Sequence, residues 1–261
     1  MNGATASDAT VTLSIRTLLN TASLDRMPCG HSHVLVAALP KSGSTWLSEI
    51  FAQLPEYNRV ELVPKHDRRA QELAFERLIV FHSINYVAQH HVRFSGATAA
   101  YMNTFSIKPI IAFRNFFDCV PSMKDWLDNL DDTDRTGPIA YVPDEYPGWP
   151  DAEKIDFIID MMMPWYFNFI VGWRDYRGGA WVNYDTLVAD PVATIMDVSS
   201  RLDLDLGEFD VQQAVASAAR KPTKKNLAQV GRGALLTGAQ KDRIRKFASY
   251  YPDEDFSAVG L

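Results

Sequence analysis

A short segment, Leu39–Trp46, carries the side chains best suited to binding an anion. It reads Leu-Pro-Lys-Ser-Gly-Ser-Thr-Trp, and its first residue is the last residue of the apolar run His33–Leu39. A tight loop between a buried strand and a helix directs backbone N–H groups, and the positive end of the helix dipole, at one point. The segment adds an ammonium group and three hydroxyl groups, from Lys41, Ser42, Ser44 and Thr45. We therefore predict a phosphate-binding loop.

The order of residues separates this loop from a Walker A motif. Walker A reads Gly-x-x-x-x-Gly-Lys-[Ser/Thr] and serves a triphosphate with Mg²⁺. Here Lys41 precedes Gly43, which is the only glycine of the segment. A capped helix after an ordinary turn would also explain the serine and threonine content. The complete octet after a buried strand favours the phosphate loop.

A second motif with anion-binding chemistry reads Arg114-Asn-Phe-Phe-Asp-Cys-Val-Pro-Ser122. An arginine that leaves a strand end and a serine two helical turns later can hold one phosphate together. Taken alone, the motif is more typical of a surface arginine with a solvated or back-bonded serine. Its position after the first loop favours a second phosphate contact.

The elements that must position these motifs alternate between buried strands and amphipathic helices. The predicted strands are 33–39, 77–81, 109–113 and 180–184, and the predicted helices are 44–54, 116–130, 154–177 with a kink at Pro164, and 190–202. This alternation implies a parallel sheet with helices on both faces. Ligands of such sheets bind beyond the carboxyl ends of the strands. The loops expected to meet at one site follow Leu39, Phe81, Phe113 and Tyr184.

The two motifs together resemble those of the sulfotransferases that use 3′-phosphoadenosine 5′-phosphosulfate (PAPS). That family usually has Pro-Lys-Ser-Gly-Thr-Thr-Trp in the first loop and Arg-Asn-x-x-Asp-x-x-x-Ser in the second motif. The resemblance covers about residues 33–250. It implies a three-layer α/β/α fold similar to P-loop NTPases, with an N-terminal arm (1–32) before one domain (33–261). It also implies sulfuryl transfer from PAPS to a hydroxyl or amine of a small-molecule acceptor, with adenosine 3′,5′-bisphosphate (PAP) as product.

The resemblance further implies the roles of individual residues. Lys41 would donate to the bridging oxygen of the leaving phosphate, Arg114 and Ser122 would hold the 3′-phosphate, and aromatic residues would border the adenine. The implied nucleotide-binding residues are Lys41, Ser42, Gly43, Ser44, Thr45, Trp46, Arg114, Ser122, Tyr184, Lys225, Gly231, Arg232 and Gly233. A core role is the alternative for either aromatic residue. The family's Arg-Lys-Gly triplet is absent, so Lys224, Lys225 and Arg232 remain alternative 3′-phosphate ligands.

The resemblance places the general base at His82. Family members carry Lys-[Thr/Ser]-His after the second strand, and this segment reads Val80-Phe81-His82, with valine in place of lysine. A histidine titrates near neutral pH and suits this role. His90 and His91 form the competing candidate, and we expect them on a helix surface.

Composition excludes several other classes of protein. The 261 residues carry 26 basic and 32 acidic side chains, a net charge of −6, which argues against binding nucleic acid through broad basic patches. Two cysteines are too few for a disulfide scaffold, and no cysteine–histidine cluster has metal-site spacing, so no metal is expected. Asp156, Asp160 and Pro164 interrupt the most apolar stretch, and the N-terminus lacks signal-peptide features. We therefore expect a cytoplasmic protein without a membrane span.

The acceptor and two other functions remain open. Residues 125–156 carry ten acidic and two basic side chains. This segment predicts either a binding loop that favours a cationic or polar acceptor, or a solvated surface loop. A small-molecule kinase and a catalytically silent PAP-binding module are the alternative functions. The Lys-before-Gly order and the Arg114/Ser122 pair favour the sulfotransferase, and the oligomeric state, including a homodimer, is left open.

Overall fold

A five-stranded parallel sheet forms the centre of the molecule. The structure, a computed structural model, describes residues 26–64, 72–130, 139–221 and 230–261. The strands are β1 (His33–Ala38), β2 (Asn58–Val60), β3 (Tyr86–His90), β4 (Ile107–Phe113) and β5 (Ala180–Asn183). Their order across the sheet is β2-β3-β1-β4-β5, and all four pairings are parallel.

Helices cover both faces of the sheet. They are α1 (Ser44–Ala52), α2 (Phe75–Phe81), α3 (Gly96–Thr104), α4 (Phe116–Asp128), α5 (Asp151–Met161), α6 (Met163–Arg174), α7 (Tyr184–Ala189), α8 (Pro191–Arg201), α9 (Glu208–Arg220) and α10 (Gly238–Ala248). Helices α1, α8 and α9 contribute to one buried cluster, and α2 to α6 with α10 contribute to the other. The predicted α/β architecture with a central parallel sheet is confirmed.

Burial of strand β1 on both faces explains why apolar and polar residues do not alternate in its sequence. Val34 and Val36 belong to the core cluster on one face, and Leu35 and Ala37 belong to the cluster on the other. Every residue of the strand is buried, as expected for a strand covered by helices on both faces.

The predicted strand over residues 77–81 is wrong, because this segment lies in helix α2. Leu78 is buried whereas Val80 is 55% exposed, which is the pattern of a short amphipathic helix. A run of five apolar residues does not distinguish a strand from a buried helical turn. The strand beside β1 is β3, which pairs His33 with Tyr86 and Ala37 with His90.

Helix predictions outside this region agree with the structure within two residues at each end for α1, α4 and α8. The predicted helix 154–177 is instead two helices, α5 and α6, which meet at Met162. Pro164 lies in the first turn of α6, where its missing N–H is tolerated.

Residues 151–174 are the one segment of the described chain long and apolar enough to cross a membrane, with a mean hydropathy of 1.2 over an 18-residue window. In the structure the segment supplies core residues, including Ile158, Phe167 and Trp173. A helix of a protein core passes the same test of length and composition.

Of the predicted N-terminal arm, residues 1–25 lie outside the described residues. Residues 26–32 run along the amino edge of the sheet, where the Met27 backbone N–H donates to Thr104 O at 2.8 Å.

Candidate functional site

The loop between β1 and α1 has two residues in the left-handed backbone region. Lys41 has φ of 67° and Gly43 has φ of 77°. The left-handed region costs a residue other than glycine about 1–2 kcal/mol, and such residues cluster at functional sites. Two side-chain hydrogen bonds hold the loop backbone: Ser42 Oγ donates to Leu39 O at 2.6 Å, and Tyr166 OH donates to Pro40 O at 2.8 Å.

Gly43 is required by the tyrosine that packs against the loop. A Cβ at this position would lie 2.5 Å from Cδ2 of Tyr184, and the positive φ disfavours any side chain there. Tyr184 is buried at the start of α7, directly after β5. The structure therefore brings Tyr184 beside the loop, as the sequence motifs implied.

The remaining residues of the loop motif form the first turn of α1. Ser44 is buried, Thr45 is exposed and Trp46 is partly buried against the core cluster of that face. A helix leaves its first backbone N–H groups without acceptors inside the helix. This turn can therefore offer N–H groups and the Thr45 hydroxyl to an anion.

Arg114 connects the two sequence motifs. Its side chain is only 4% exposed, and Nη1 donates to the carbonyl oxygen of Lys41 at 3.4 Å, across 73 residues of sequence. The guanidinium carbon lies 4.2 Å from the ring centroid of Tyr184, a cation–π distance. Ser122 is also buried, two helical turns further along α4.

Asp118 holds the backbone of the glycine segment Gly231–Gly233 in place. Its Oδ2 accepts from the backbone N–H of Gly231 at 2.8 Å, and its Oδ1 accepts from that of Gly233 at 2.6 Å. Oδ2 also lies 3.6 Å from Nη2 of Arg114. A Cβ at Gly233 would lie 2.5 Å from Cβ of Phe117, so glycine permits this close approach. Asp118, the aspartate of the second motif, is not among the site residues that the sequence predicts.

Arg232 lies between these two glycines and pairs with helix α4. Its Nη1 is 2.6 Å from Oδ2 of Asp125, and the side chain is largely buried. Lys224 and Lys225, the other cations implied for the 3′-phosphate, lie outside the described residues. The assignment of that phosphate among the three cations stays a prediction.

The predicted position of His82 is wrong. It caps the C-terminus of α2, and its ring centroid lies 5.2 Å from that of His33, the first residue of β1. Six strand residues span about 20 Å, so β1 separates His82 from the loop that follows Leu39. His82 therefore lies at the amino edge of the sheet, because residues 77–81 form a helix instead of the predicted strand.

The prediction that His90 and His91 lie on a helix surface is also wrong. His90 ends β3, and its Nε2 accepts the backbone N–H of Leu62 at 2.9 Å. His91 follows, and its Nδ1 donates to Ala38 O at 2.8 Å, directly before the phosphate loop. Polar residues at the end of β3 hid this strand from the sequence pattern.

Burial lowers the pKa of both histidines. For His90 the pKa falls to about 3, with smaller contributions from the charges of His91 and Arg59. For His91, burial lowers the pKa, the hydrogen bond to Ala38 raises it, and the positive charge of Lys41 lowers it further. Both imidazoles are therefore neutral near pH 7. Because Nδ1 of His91 carries the proton, its Nε2 carries the lone pair.

A cavity of about 640 Å³ opens beside His91, beyond the carboxyl ends of β2 and β3. Its lining is mixed in charge and polarity and includes Arg59, Glu61, Arg77, Phe81, His90 and His91. Cavities of this size accommodate small organic molecules. The geometry thus places a candidate acceptor cavity next to a neutral imidazole and the loop predicted to bind phosphate.

Several carboxylates of the acidic segment 125–156 are already paired with cations. Asp125 pairs with Arg232, Asp128 with Lys124 and Lys154, Asp151 with Lys124, and Asp156 with Arg243. Asp131, Asp132 and Asp134 lie outside the described residues. The paired carboxylates attach this segment to its neighbouring helices, which reduces the field they exert on a bound molecule.

Comparison with known proteins supports one family. The model of the sulfotransferase domain matches residues 31–232. The mouse sulfotransferase SULT7A1, solved in complex with PAP, is 14% identical with a TM-score of 0.62, over 95% of this chain and 93% of that one. The sulfotransferase STF9 from Mycobacterium avium is 11% identical with a TM-score of 0.51, over 94% of this chain and 81% of that one.

A third similar structure is a retinol dehydratase in complex with androsterone and inactive cofactor PAP. It is 10% identical with a TM-score of 0.50, over 84% of this chain and 80% of that one. At these identities the likeness shows the fold. No curated protein sequence matches this chain significantly.

Proposed function

The chain belongs to the sulfotransferase domain family, and we propose that it transfers the sulfuryl group of PAPS to a hydroxyl or amine of a small-molecule acceptor. The observation that carries the proposal is the hydrogen bond from Arg114 to the carbonyl oxygen of Lys41 at 3.4 Å. It joins the two phosphate motifs at one edge of the sheet. A nucleotide with phosphates at both its 5′ and 3′ positions requires two such anion sites side by side.

The residues of this edge fit the nucleotide. The N-terminal turn of α1 and the hydroxyls of Ser44 and Thr45 would hold the 5′-phosphate. The buried guanidinium of Arg114, with the Ser122 hydroxyl, would hold the 3′-phosphate, because a planar guanidinium binds phosphate oxygens strongly. Tyr184, already packed against Gly43 and Arg114, would border the base.

PAPS would supply the sulfuryl group, and three tasks remain for the protein: to align the acceptor, to remove its proton and to stabilise charge on the leaving phosphate oxygen. Lys41 suits the third task, because its strained backbone lies in the loop and its ammonium group can donate to the bridging oxygen. A fixed donor of this kind acts without reorganisation at the moment of reaction.

We assign the second task to His91 in place of His82. His91 lies close enough to Lys41 to sense its charge, and the hydrogen bond to Ala38 fixes its tautomer. Its lowered pKa keeps Nε2 unprotonated at neutral pH, as a general base requires. His90 is less suited, because burial lowers its pKa to about 3 and makes its imidazole a weak base.

The cavity beside His91 is the proposed acceptor site. Its volume suits a small molecule, and its lining combines Arg59 and Arg77 with Glu61. The acidic segment 125–156, with ten acidic and two basic side chains, supports a cationic or polar acceptor through its net negative charge. An acceptor panel must therefore include cationic, neutral and anionic alcohols, phenols and amines.

Two measurements test the proposal. Thermal unfolding should shift upward with PAP and not with ATP and Mg²⁺, because only PAP has a 3′-phosphate for Arg114. Incubation with PAPS and the acceptor panel, followed by mass spectrometry, should give a sulfated product. A kinase would reverse the nucleotide preference, and a silent binding module would give the PAP shift without any product.

A further inference from the structure

A second cluster of reactive side chains lies at the amino edge of the sheet. Cys29, His33 and His82 bring one ligand atom each within 4.8 Å of one another, and Cys29 Sγ lies 3.5 Å from Nε2 of His33. Because β1 is about 20 Å long, the cluster is remote from the phosphate loop. Its role is therefore separate from sulfuryl transfer.

The hydrogen bonds of His33 determine which of its nitrogens can bind a cation. Nδ1 lies 2.7 Å from Phe105 O, and Nε2 lies 3.1 Å from His82 O. A carbonyl oxygen only accepts, and a neutral imidazole carries a single N–H, so the ring in this form can donate to only one of the two. The shorter contact takes the proton. Nε2 then presents a lone pair to a carbonyl oxygen, an unfavourable pairing that a bound cation would relieve.

The hydrogen bonds of His82 leave its other ring nitrogen, Nδ1, as the candidate ligand atom. Its Nε2 lies 3.1 Å from Pro28 O and therefore donates to that carbonyl. Its Nδ1 is buried and has no hydrogen-bond partner among the described residues. A buried polar atom without a partner is uncommon. Each imidazole thus directs one N–H to a backbone carbonyl, and its other nitrogen is the atom that could bind a cation.

We propose that Cys29, His33 and His82 form a zinc site with one position left for water or a further ligand. One cysteine sulfur and two imidazoles, each oriented through a carbonyl, are typical zinc ligands. Zinc–ligand bonds of about 2.0–2.3 Å require ligand atoms about 3.3–3.8 Å apart in a tetrahedron. The 3.5 Å between Cys29 Sγ and His33 Nε2 already meets this requirement.

The site would fasten the chain segment that precedes the sheet. Cys29 belongs to residues 26–32, His33 opens β1 and His82 ends α2, so one ion would cross-link three elements. Cys29 and His82 are only partly buried, which gives the ion access from solvent. The sequence hid the site because His82 lies 49 residues from His33 and was expected at the opposite edge.

Cobalt substitution tests the site in the full chain. After chelation and gel filtration, titration with Co²⁺ should give one equivalent of binding, with thiolate-to-cobalt charge-transfer absorption and the intense visible bands of a tetrahedral ion. One equivalent of Zn²⁺ should remove both signals. Zn²⁺ should also raise the unfolding temperature of the metal-free protein.

Variants separate the site from adventitious binding. Cys29→Ser should abolish the charge-transfer band. His82→Ala should weaken Co²⁺ binding at least about tenfold, because even the loss of a residue that only orients a metal ligand typically has an effect of this size. Cys119→Ala, which removes the other thiol, should keep both signals. His33 is avoided because it is wholly buried. Absence of the band in the wild type, its survival in Cys29→Ser or its loss in Cys119→Ala would each overturn the proposal, leaving a thiol–imidazole hydrogen bond.

Discussion

Backbone contacts orient the side chains that carry the proposed chemistry. The Lys41 carbonyl accepts from Arg114, and the Ala38 carbonyl accepts from Nδ1 of His91. Both carbonyls lie at the end of β1 or in the loop after it. The same stretch of backbone therefore sets the position of Arg114 and the tautomer of His91. Its left-handed backbone conformation at Lys41 sets the direction in which that side chain leaves the loop.

For Lys41→Ala we expect turnover to fall about 10²- to 10³-fold, the scale of losing one preorganised oxyanion donor. PAP affinity should fall much less, because the backbone N–H groups of the loop remain. Steady-state kinetics with PAPS and calorimetric titration of PAP measure the two quantities. Lys246→Ala, on the exposed last turn of α10, is the matched control, and near-normal turnover in Lys41→Ala would exclude the proposed role.

Arg114→Ala should act on nucleotide binding instead. Loss of a charge-assisted contact weakens binding by about 1.5–3 kcal/mol, about 10- to 100-fold. This loss should apply to PAP and leave the affinity for adenosine 5′-phosphate, which lacks the 3′-phosphate, almost unchanged. Calorimetric titration of both nucleotides into both proteins gives the comparison. Equal losses for the two ligands would make Arg114 a structural residue only.

The base assignment predicts a pH profile. Because burial lowers the pKa of His91, kcat/KM should stay constant down to pH 6.5 and fall only at lower pH, as Nε2 gains a proton. His91→Ala should lower turnover about 10²- to 10⁴-fold and remove this acidic limb. His82→Ala should retain the limb, since its imidazole lies at the other edge of the sheet. A limb lost in His82→Ala and kept in His91→Ala would reverse the assignment.

Among the elements, α4 organises the side of the site where we propose that the nucleotide binds. Its first turn carries Asp118, which accepts the N–H groups of Gly231 and Gly233, and its second half carries Ser122. Asp125, one turn further, pairs with Arg232. One helix therefore fixes both the second phosphate motif and the glycine segment that follows α9 in the chain.

Asp118→Asn tests this organisation. An amide has one carbonyl oxygen, so it can replace only one of the two acceptors and repels the other N–H with its own donors. We expect PAP affinity to fall about tenfold, and backbone N–H exchange at residues 230–235 to accelerate. Asp242→Asn, on the exposed face of α10, should change neither quantity. Unchanged exchange in Asp118→Asn would show that the segment is held by other contacts.

The sequence predicts those elements whose patterns are strong. The unalternating run of β1, the octet after it and the Arg114–Ser122 motif specify a strand, a loop and a helix, and the structure has all three. The second strand was misplaced because residues 77–81 are apolar but helical, whereas β3 ends in polar Gln89 and His90. Tertiary contacts decide this case: His90 is buried only because its imidazole accepts the Leu62 N–H, a partner that local pattern does not reveal.

At the scale of the whole molecule, the two edges of one parallel sheet carry different chemistry. Loops at the carboxyl edge hold the anion-binding residues, as expected for parallel sheets. The amino edge holds the Cys29–His33–His82 cluster. Strands β1 and β3 connect the two edges. His33 begins β1 and His90 ends β3, both are buried, and burial disfavours the protonated form of each.

This effect of burial makes stability depend on pH in a defined window. The pKa of His90 is about 3 in the folded chain and about 6.5 in an unfolded one. Well above pH 6.5 both states are neutral at this residue, and it causes no loss of stability. As the pH falls from 6.5 towards 3, only the unfolded chain gains the proton, so the free energy of unfolding should fall by up to about 1.4 kcal/mol per pH unit.

Urea unfolding of the metal-free protein between pH 7 and pH 4.5 measures this slope. His90→Gln should show a shallower slope, because its amide does not titrate, while its side-chain oxygen can still accept the Leu62 N–H. His31→Gln, at an exposed position, should keep the slope of the wild type. The absolute stability of His90→Gln does not enter the comparison, since the slope alone reports the proton. Equal slopes in wild type and His90→Gln would mean that His90 has the same pKa in the folded and the unfolded chain. Other groups would then cause the acid sensitivity.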